Sequence, residues 1–267
     1  MSSVPTAGSA SGTGLFDLTG RVAAVVGGAG VLGGTVCHGF GDAGAAIAVL
    51  DRSQERADEL VAALKAKGVK AAAFVLDASD RASVEAAQKA VEAALGPVDI
   101  LVNAVGINSG TPFFELELEE WNRVLQVNLT SCLLACQIFG KAMVDRGQGG
   151  SIINFSSTSS EVPLSRVLTY SVSKAGVNIL TRYLARELAP YKIRVNAIVP
   201  GFFPAEQNRK LLDPQRIDNI MRHTPMRRFG APEELIGALL LLVSPKAGSF
   251  MTGASISVDG GFTAAWF

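Results

Sequence analysis

The 267-residue chain has no excess of either charge: Lys and Arg number 24, Asp and Glu number 24, and the formal net charge is zero. A balanced charge supplies no electrostatic case for nucleic acid or an anionic membrane, so neither is expected as a partner. Cysteine is scarce as well. Cys37, Cys132 and Cys136 are an odd set without metal-ligand spacing, and they read as small buried residues in a reducing, cytoplasmic protein with no metal site. No apolar run reaches the ~18 residues of a membrane span. Residues 1–14 are Ser, Gly, Ala and Thr with little else, lacking the basic start and apolar centre of a signal peptide, and they read as a disordered leader. From 15 to 267 no shift in composition marks a boundary. With 48% hydrophobic and 18% charged residues, this stretch can bury one large core as a single domain.

What is present is a regular alternation. The apolar run Arg21 to Val26 is followed at once by Gly27-Gly28-Ala29-Gly30-Val31-Leu32-Gly33-Gly34, and Gly28, Gly30 and Gly33 fit G-x-G-x-x-G. Strand, glycine turn and helix open a dinucleotide-binding unit: the glycines let the backbone approach a pyrophosphate, and the helix offers unpaired N–H groups and a positive dipole end. A second strand, Ala46 to Leu50, ends at Asp51, about twenty residues on, where an acid binds the ribose hydroxyls of NAD and repels the 2′-phosphate of NADP. Arg52 follows and softens that preference, but the glycine loop holds no Lys or Arg, so NAD is expected over NADP. Asp51 also reads as the N-cap of a helix over Gln54 to Lys67. A third strand, Ala71 to Leu76, ends at Asp77, which either faces the adenine or organises its turn. Ala82 to Leu95 reads as a helix, and Ile100 to Val102 as a strand leading into Asn103-Ala104-Val105-Gly106. Strands alternating with helices define a doubly wound parallel sheet flanked by helices on both faces, with its ligand crevice at the strand ends.

Glu119 to Arg146 is strongly helical and carries more apolar residues than one face needs, with Asn128 among them requiring partners if buried. Ile152 to Phe155 reads as a strand delivering Ser157 into a loop. Tyr170 and Lys174 stand at i and i+4 at the start of a helix, so phenol and ammonium share a face. A phenol ionises near pH ~10, and a neighbouring cation should lower that value enough for Tyr170 to exchange a proton with a substrate oxygen held by Ser157. Alone, Y-x-x-x-K is more often a surface pair. A strand over Arg194 to Ile198 leads to Pro200-Gly201-Phe202-Phe203. The segment from about 202 to 230 is then polar, broken by Pro204, Pro214 and Pro225, and reads as an irregular substrate loop. Glu233 to Val243 and Ser255 to Val258 read as a final helix and strand.

With these motifs assembled, the chain resembles the short-chain dehydrogenase/reductase family from about Leu15 onward. The motifs are the glycine turn, Asp77, Asn103 to Gly106, Asn128, Ser157, Tyr170 with Lys174, Pro200-Gly201, and Thr252-Gly253 through Val258-Asp259-Gly260-Gly261. The resemblance implies an NAD(P)-dependent oxidoreductase interconverting an alcohol and a ketone. Tyr170 is then the general acid/base, Lys174 lowers its pKa and binds the nicotinamide ribose, Ser157 positions the reacting oxygen, and Asn128 holds a relay water. The implied cofactor contacts are Gly27, Gly28, Gly30, Val31, Leu32, Gly33, Asp51, Arg52, Asp77, Ala78, Asn103 to Gly106, Tyr170, Lys174, Pro200, Gly201 and Phe203. Three regions depart from the family pattern. Val26 and Val31 replace a Thr and a Gly of the usual turn, with Gly30 shifted by one place; Ala104 replaces an Asn; and Phe203, Pro204 and Ala205 occupy the region of a Thr that binds the carboxamide.

The stretches 28–34, 200–209 and His223 to Gly230 resemble a narrower group, the D-mannonate oxidoreductases or fructuronate reductases, which implies a sugar-acid substrate, while the wider family resemblance implies a homotetramer. Arg166, Asn208 and Arg209 are the expected carboxylate partners, although Arg209 also reads as part of a solvated helix face. Other readings are a 3-oxoacyl thioester, a neutral polyol or ketose as substrate, or a non-catalytic nucleotide-binding protein.

Overall fold

The computed structural model describes residues 14–203 and 213–265. The leader up to residue 13, the proposed ligands Asn208 and Arg209, and the last two residues lie outside the described residues.

The alternation seen in the sequence becomes β1 (Val22–Val26), α1 (Val31–Asp42), β2 (Ala46–Asp51), α2 (Gln54–Ala66), β3 (Ala71–Val75), α3 (Arg81–Leu95) and β4 (Ile100–Asn103). It continues through α4 (Leu118–Leu125), α5 (Ser131–Arg146), β5 (Gly150–Phe155), α6 (Leu168–Leu188), β6 (Ile193–Pro200), α7 (Pro214–His223), α8 (Ile236–Val243) and β7 (Ser255–Val258). Among the described residues the strands form one seven-stranded sheet ordered β3-β2-β1-β4-β5-β6-β7, with every pair parallel. Helices cover both faces, giving two apolar cores, one around Leu101, Phe139 and Ile152 and the other around Phe40, Val49 and Leu239. Burial on both faces explains why β1 reads as an unbroken apolar run instead of an alternating one. The strand order reverses between β1 and β4, so a crevice opens beyond their carboxyl ends.

Local chemistry sets several boundaries. Ser53 caps α2 by accepting from the Arg56 N–H, and Asp80 caps α3 by accepting from the Ser83 N–H. Asp213 caps α7 with Pro214 in its first turn, so the proline inside the supposed irregular segment starts a helix.

The helical run Leu118–Arg146 is long and apolar enough to cross a membrane by length and composition alone, but half of its most apolar window is buried inside the protein, as in any core helix. Its surplus of apolar side chains belongs to packing between the sheet and α6. This run also differs from a continuous α-helix. Residues Gln126–Thr130 form a π-turn between α4 and α5, and Asn128 sits at its centre.

Candidate active site

At the end of β1 the backbone turns at Gly27 with φ +77°. A Cβ there would lie 3.0 Å from Val105 Cγ2, and a Cβ on Gly33 would collide with the Gly27 carbonyl, so α1 rests directly on the turn. No side chain caps α1 at Gly30, which leaves its first-turn N–H groups and positive dipole end to a ligand. This cradle fits a pyrophosphate.

Asp51 is not the cap of α2, a role Ser53 takes. Its carboxylate accepts from the N–H groups of Ala29 (3.1 Å) and Ser53 (3.2 Å), while Arg56 Nη2 donates to the Ala29 carbonyl (2.7 Å). The Ala29 peptide is therefore held from both sides, and the glycine turn is tied to the end of β2. Asp77 accepts from the N–H (2.9 Å) and hydroxyl (2.6 Å) of Ser79, bonds that hold its carboxyl below the usual range. Of its two readings, the turn-organising one is the one these bonds display.

A cavity of ≈ 340 Å³ runs along these elements, and Gly27, Gly30, Val31, Leu32, Gly33, Asp51, Arg52, Asp77, Ala78, Ala104, Val105 and Gly106 line it. Two expected contacts do not. Gly28 is buried, and a Cβ on it would lie 2.9 Å from the Val25 carbonyl oxygen, so this glycine serves the packing of turn on sheet. Asn103 points into the interior and donates to Asn154 Oδ1 (2.9 Å). Arg56, also on the wall, escaped notice because its position in α2 reads as a solvated helix face.

A second cavity of ≈ 130 Å³ shares Leu32, Ala104, Val105 and Gly106 with the first, so the two are continuous. Ser157, Tyr170, Lys174, Pro200, Gly201 and Phe203 line this end. Lys174 is 4% exposed and donates to the Phe155 carbonyl (2.8 Å), with Nζ 5.7 Å from the Tyr170 ring centroid. A Cβ on Gly106 would come to 3.4 Å from that Nζ, an ordinary contact distance.

The protonation equilibria depart from the sequence-based expectation. Burial pushes the Tyr170 phenol up, and the group that draws it back is the Ser157 hydroxyl, not Lys174. Lys174 is itself pulled down by burial to about 8. Desolvation of both groups outweighs their mutual influence in the protein alone.

The unfolded chain holds the Lys174 proton up to the ordinary lysine value of 10.5, and the folded chain only to about 8. The folded state therefore gains stability from this group as pH rises between those values. Chemical denaturation of wild type and Lys174→Met should show the difference moving toward wild type by up to roughly 3 kcal/mol over that window. A pH-independent difference would mean that Lys174 is not desolvated.

Asn128 is 1% exposed and lies behind the cavity wall. Its Oδ1 accepts from the Ile107 N–H (2.8 Å), and its Nδ2 donates to the Ile107 carbonyl (2.9 Å) and Ser173 Oγ (3.0 Å). Ser173 in turn donates to the Tyr170 carbonyl (2.7 Å). The amide thus bonds protein partners on both sides, and it fixes the loop after β4 relative to the second turn of α6. Both Nδ2 protons are engaged, while Oδ1, an amide oxygen with two lone pairs, accepts one bond among the described residues.

Arg166 is also placed differently from expectation. It has φ +66°, is exposed, pairs with Asp213 at 3.4 Å and is absent from the cavity wall. Among the described residues, the arginine on that wall is Arg216 of α7, together with Asn108 and Phe202.

A glycine-turn crevice at a sheet reversal, continuous with a Ser–Tyr–Lys-lined pocket, defines a nicotinamide-nucleotide oxidoreductase acting on CH–OH groups. Residues 28–263 match the family model described as enoyl-(acyl carrier protein) reductase. The chain belongs to the short-chain dehydrogenase/reductase family. It is 37% identical over 252 residues to the 5-keto-D-gluconate 5-reductase of Escherichia coli (strain K12), covering 94% of this chain and 98% of that one. The fold superposes with TM-score 0.91 on a gluconate 5-dehydrogenase from Burkholderia cenocepacia J2315 in complex with NADP and tartrate, at 35% identity over 95% of this chain and 99% of that one. It superposes with TM-score 0.88 on a candidate D-mannonate oxidoreductase from Haemophilus influenza with bound NAD, at 32% identity over 94% of this chain and 97% of that one.

Proposed function

We propose that this protein reversibly oxidises a secondary alcohol of an aldonate-type sugar acid, such as D-mannonate, to the corresponding keto acid, with NAD as the preferred cofactor. The observation that carries the reading is the meeting of Ser157, Tyr170 and Lys174 on one wall of a pocket that continues the nucleotide crevice. In the oxidising direction the Tyr170 oxygen removes the hydroxyl proton of the substrate, and the Ser157 hydroxyl donates to the same substrate oxygen. The carbinol C–H bond breaks, its electron pair leaving as hydride; reduction reverses each transfer. A bound nicotinamide accepts or supplies that hydride. Lys174 would hold a ribose of the bound nucleotide and keeps its positive charge beside the phenol, and Asn128 keeps the Gly106–Ile107 wall in place. Asp51 at the end of β2 supports NAD, while Arg52 and Arg56 on the same wall offer cations to a 2′-phosphate.

Sugar-acid relatives at 37% and 35% identity over nearly the whole chain support the substrate class. Apolar side chains left exposed along α6, Val172, Ile179 and Tyr183, support assembly into a homo-oligomer, read here as a tetramer of single-domain subunits in the cytoplasm. The test is a nicotinamide-absorbance screen in which NAD+ and NADP+ are run separately against D-mannonate, D-gluconate, related aldonates and neutral polyols. Turnover on aldonates with NAD+ is the expected result. Turnover confined to neutral polyols would overturn the substrate class, and a clear preference for NADP+ would overturn the cofactor choice.

A further inference from the structure

The pocket that holds Tyr170 also contains a guanidinium whose position no short-range pattern marks. Asp213 Oδ1 accepts from the Arg216 N–H (2.8 Å) and so fixes the first turn of α7. From there the Arg216 side chain reaches the loop before α6, where its Nη1 and Nη2 donate to Ser165 Oγ (3.4 Å) and the Ser165 carbonyl (3.1 Å). The other carboxylate oxygen of Asp213 pairs with Arg166 on the outside, at 3.4 Å. One acid thus serves two arginines unequally. Arg166 takes the ion pair in solvent, whereas Arg216 is partly buried, has no carboxylate in salt-bridge reach among the described residues, and lines the cavity with Asn108, Ser157 and Tyr170. A guanidinium in this setting retains N–H groups beyond those spent on Ser165, and its fork matches an incoming carboxylate.

We propose that Arg216 binds the substrate's carboxylate and thereby sets which carbinol carbon faces Tyr170 and Ser157. The pocket accordingly selects hydroxy acids and keto acids over neutral polyols of similar length. This rests on the sugar-acid reading above. Burial and the neighbouring Arg166 charge both disfavour the Arg216 cation, in that order, while Asp213 favours it. An anionic ligand would relieve both penalties.

The experiment compares wild type, Arg216→Gln, Arg216→Lys and Arg166→Gln, each checked for NADH binding by fluorescence titration so that loss of fold is seen separately. Arg216→Gln should raise KM for the aldonate by about 10- to 100-fold, with kcat changing much less. The ratio of kcat/KM for the aldonate to that for a neutral polyol should fall by a similar factor. Arg216→Lys should recover part of the loss, since a point charge replaces the fork. Arg166→Gln should change KM by no more than about threefold, as expected of an exposed pair. If wild type turns over aldonates and Arg216→Gln keeps its KM, the carboxylate assignment is wrong while the sugar-acid reading stands. If wild type is silent on every acid in the panel, the reading falls and this inference falls with it.

Discussion

Replacing Tyr170 by Phe should lower turnover by about 10²- to 10⁴-fold while NADH binding stays within a few-fold of wild type. The substitution removes one oxygen atom and keeps the ring, which lines the pocket and lies beside Lys174. Lys174 keeps its bond to the Phe155 carbonyl in the variant, because that bond does not involve Tyr170. What disappears is the only phenol among the described residues of the pocket wall, and with it the proposed proton acceptor for alcohol oxidation. Steady-state rates in both directions, set beside a cofactor titration, distinguish the two effects. A variant retaining more than about a tenth of wild-type kcat would show that another group carries the proton.

The second large effect is expected at the other end of the crevice. Gly33→Ala should destabilise the protein by about 1–3 kcal/mol and weaken nicotinamide-nucleotide binding, because the new methyl group has nowhere to go. Its Cβ would run into the carbonyl of Gly27, and the carbonyl carbon of Gly27 and Gly28 Cα would each be 3.0 Å away. These are backbone atoms of the turn itself. They cannot rotate aside as a side chain tip would, so α1 must slide off the turn and carry its first N–H groups away from the phosphate position. Gly30→Ala provides the comparison, since its Cβ would meet only the Gly27 carbonyl oxygen, at 3.3 Å. Thermal melting and cofactor titration of both variants check this. Equal behaviour of the two would mean that helix-to-turn contact does not set the cradle.

The fold was legible because its strands are buried on both faces and its helices are periodic, so each element announces itself within a window of about ten residues. The spacing of Tyr170 and Lys174 was legible for the same reason, being a property of one helix. What escaped detection depends on neighbours distant in sequence. Arg166 stood nearer Tyr170 along the chain, yet Asp213 draws it outward and Arg216, some fifty residues beyond Ser165, takes the place on the wall. The direction of the Tyr170 and Lys174 shifts turns on how deeply β5 and α6 enclose them, which a helical spacing does not encode. In the sequence Asp51 also read as the cap of the helix that follows it, and Ser53 drew no such reading. The cap went to the residue beside the helix, leaving the acid for the glycine turn.

The π-turn between α4 and α5 has a further effect on phase. Buried positions recur four apart through Val124, Asn128, Cys132 and Cys136. On an undisturbed α-helix each such step overshoots a full revolution by about 40°, so a stripe written at that spacing winds steadily around the axis. One widened revolution absorbs part of the overshoot, acting as a slipped gear tooth that lets two segments with different angular settings share one shaft. The segment before the slip meets α6, and the segment after it meets the sheet. Asn128 falls on the tooth itself, the place where the backbone can bring an amide inward without turning either neighbour's apolar face away.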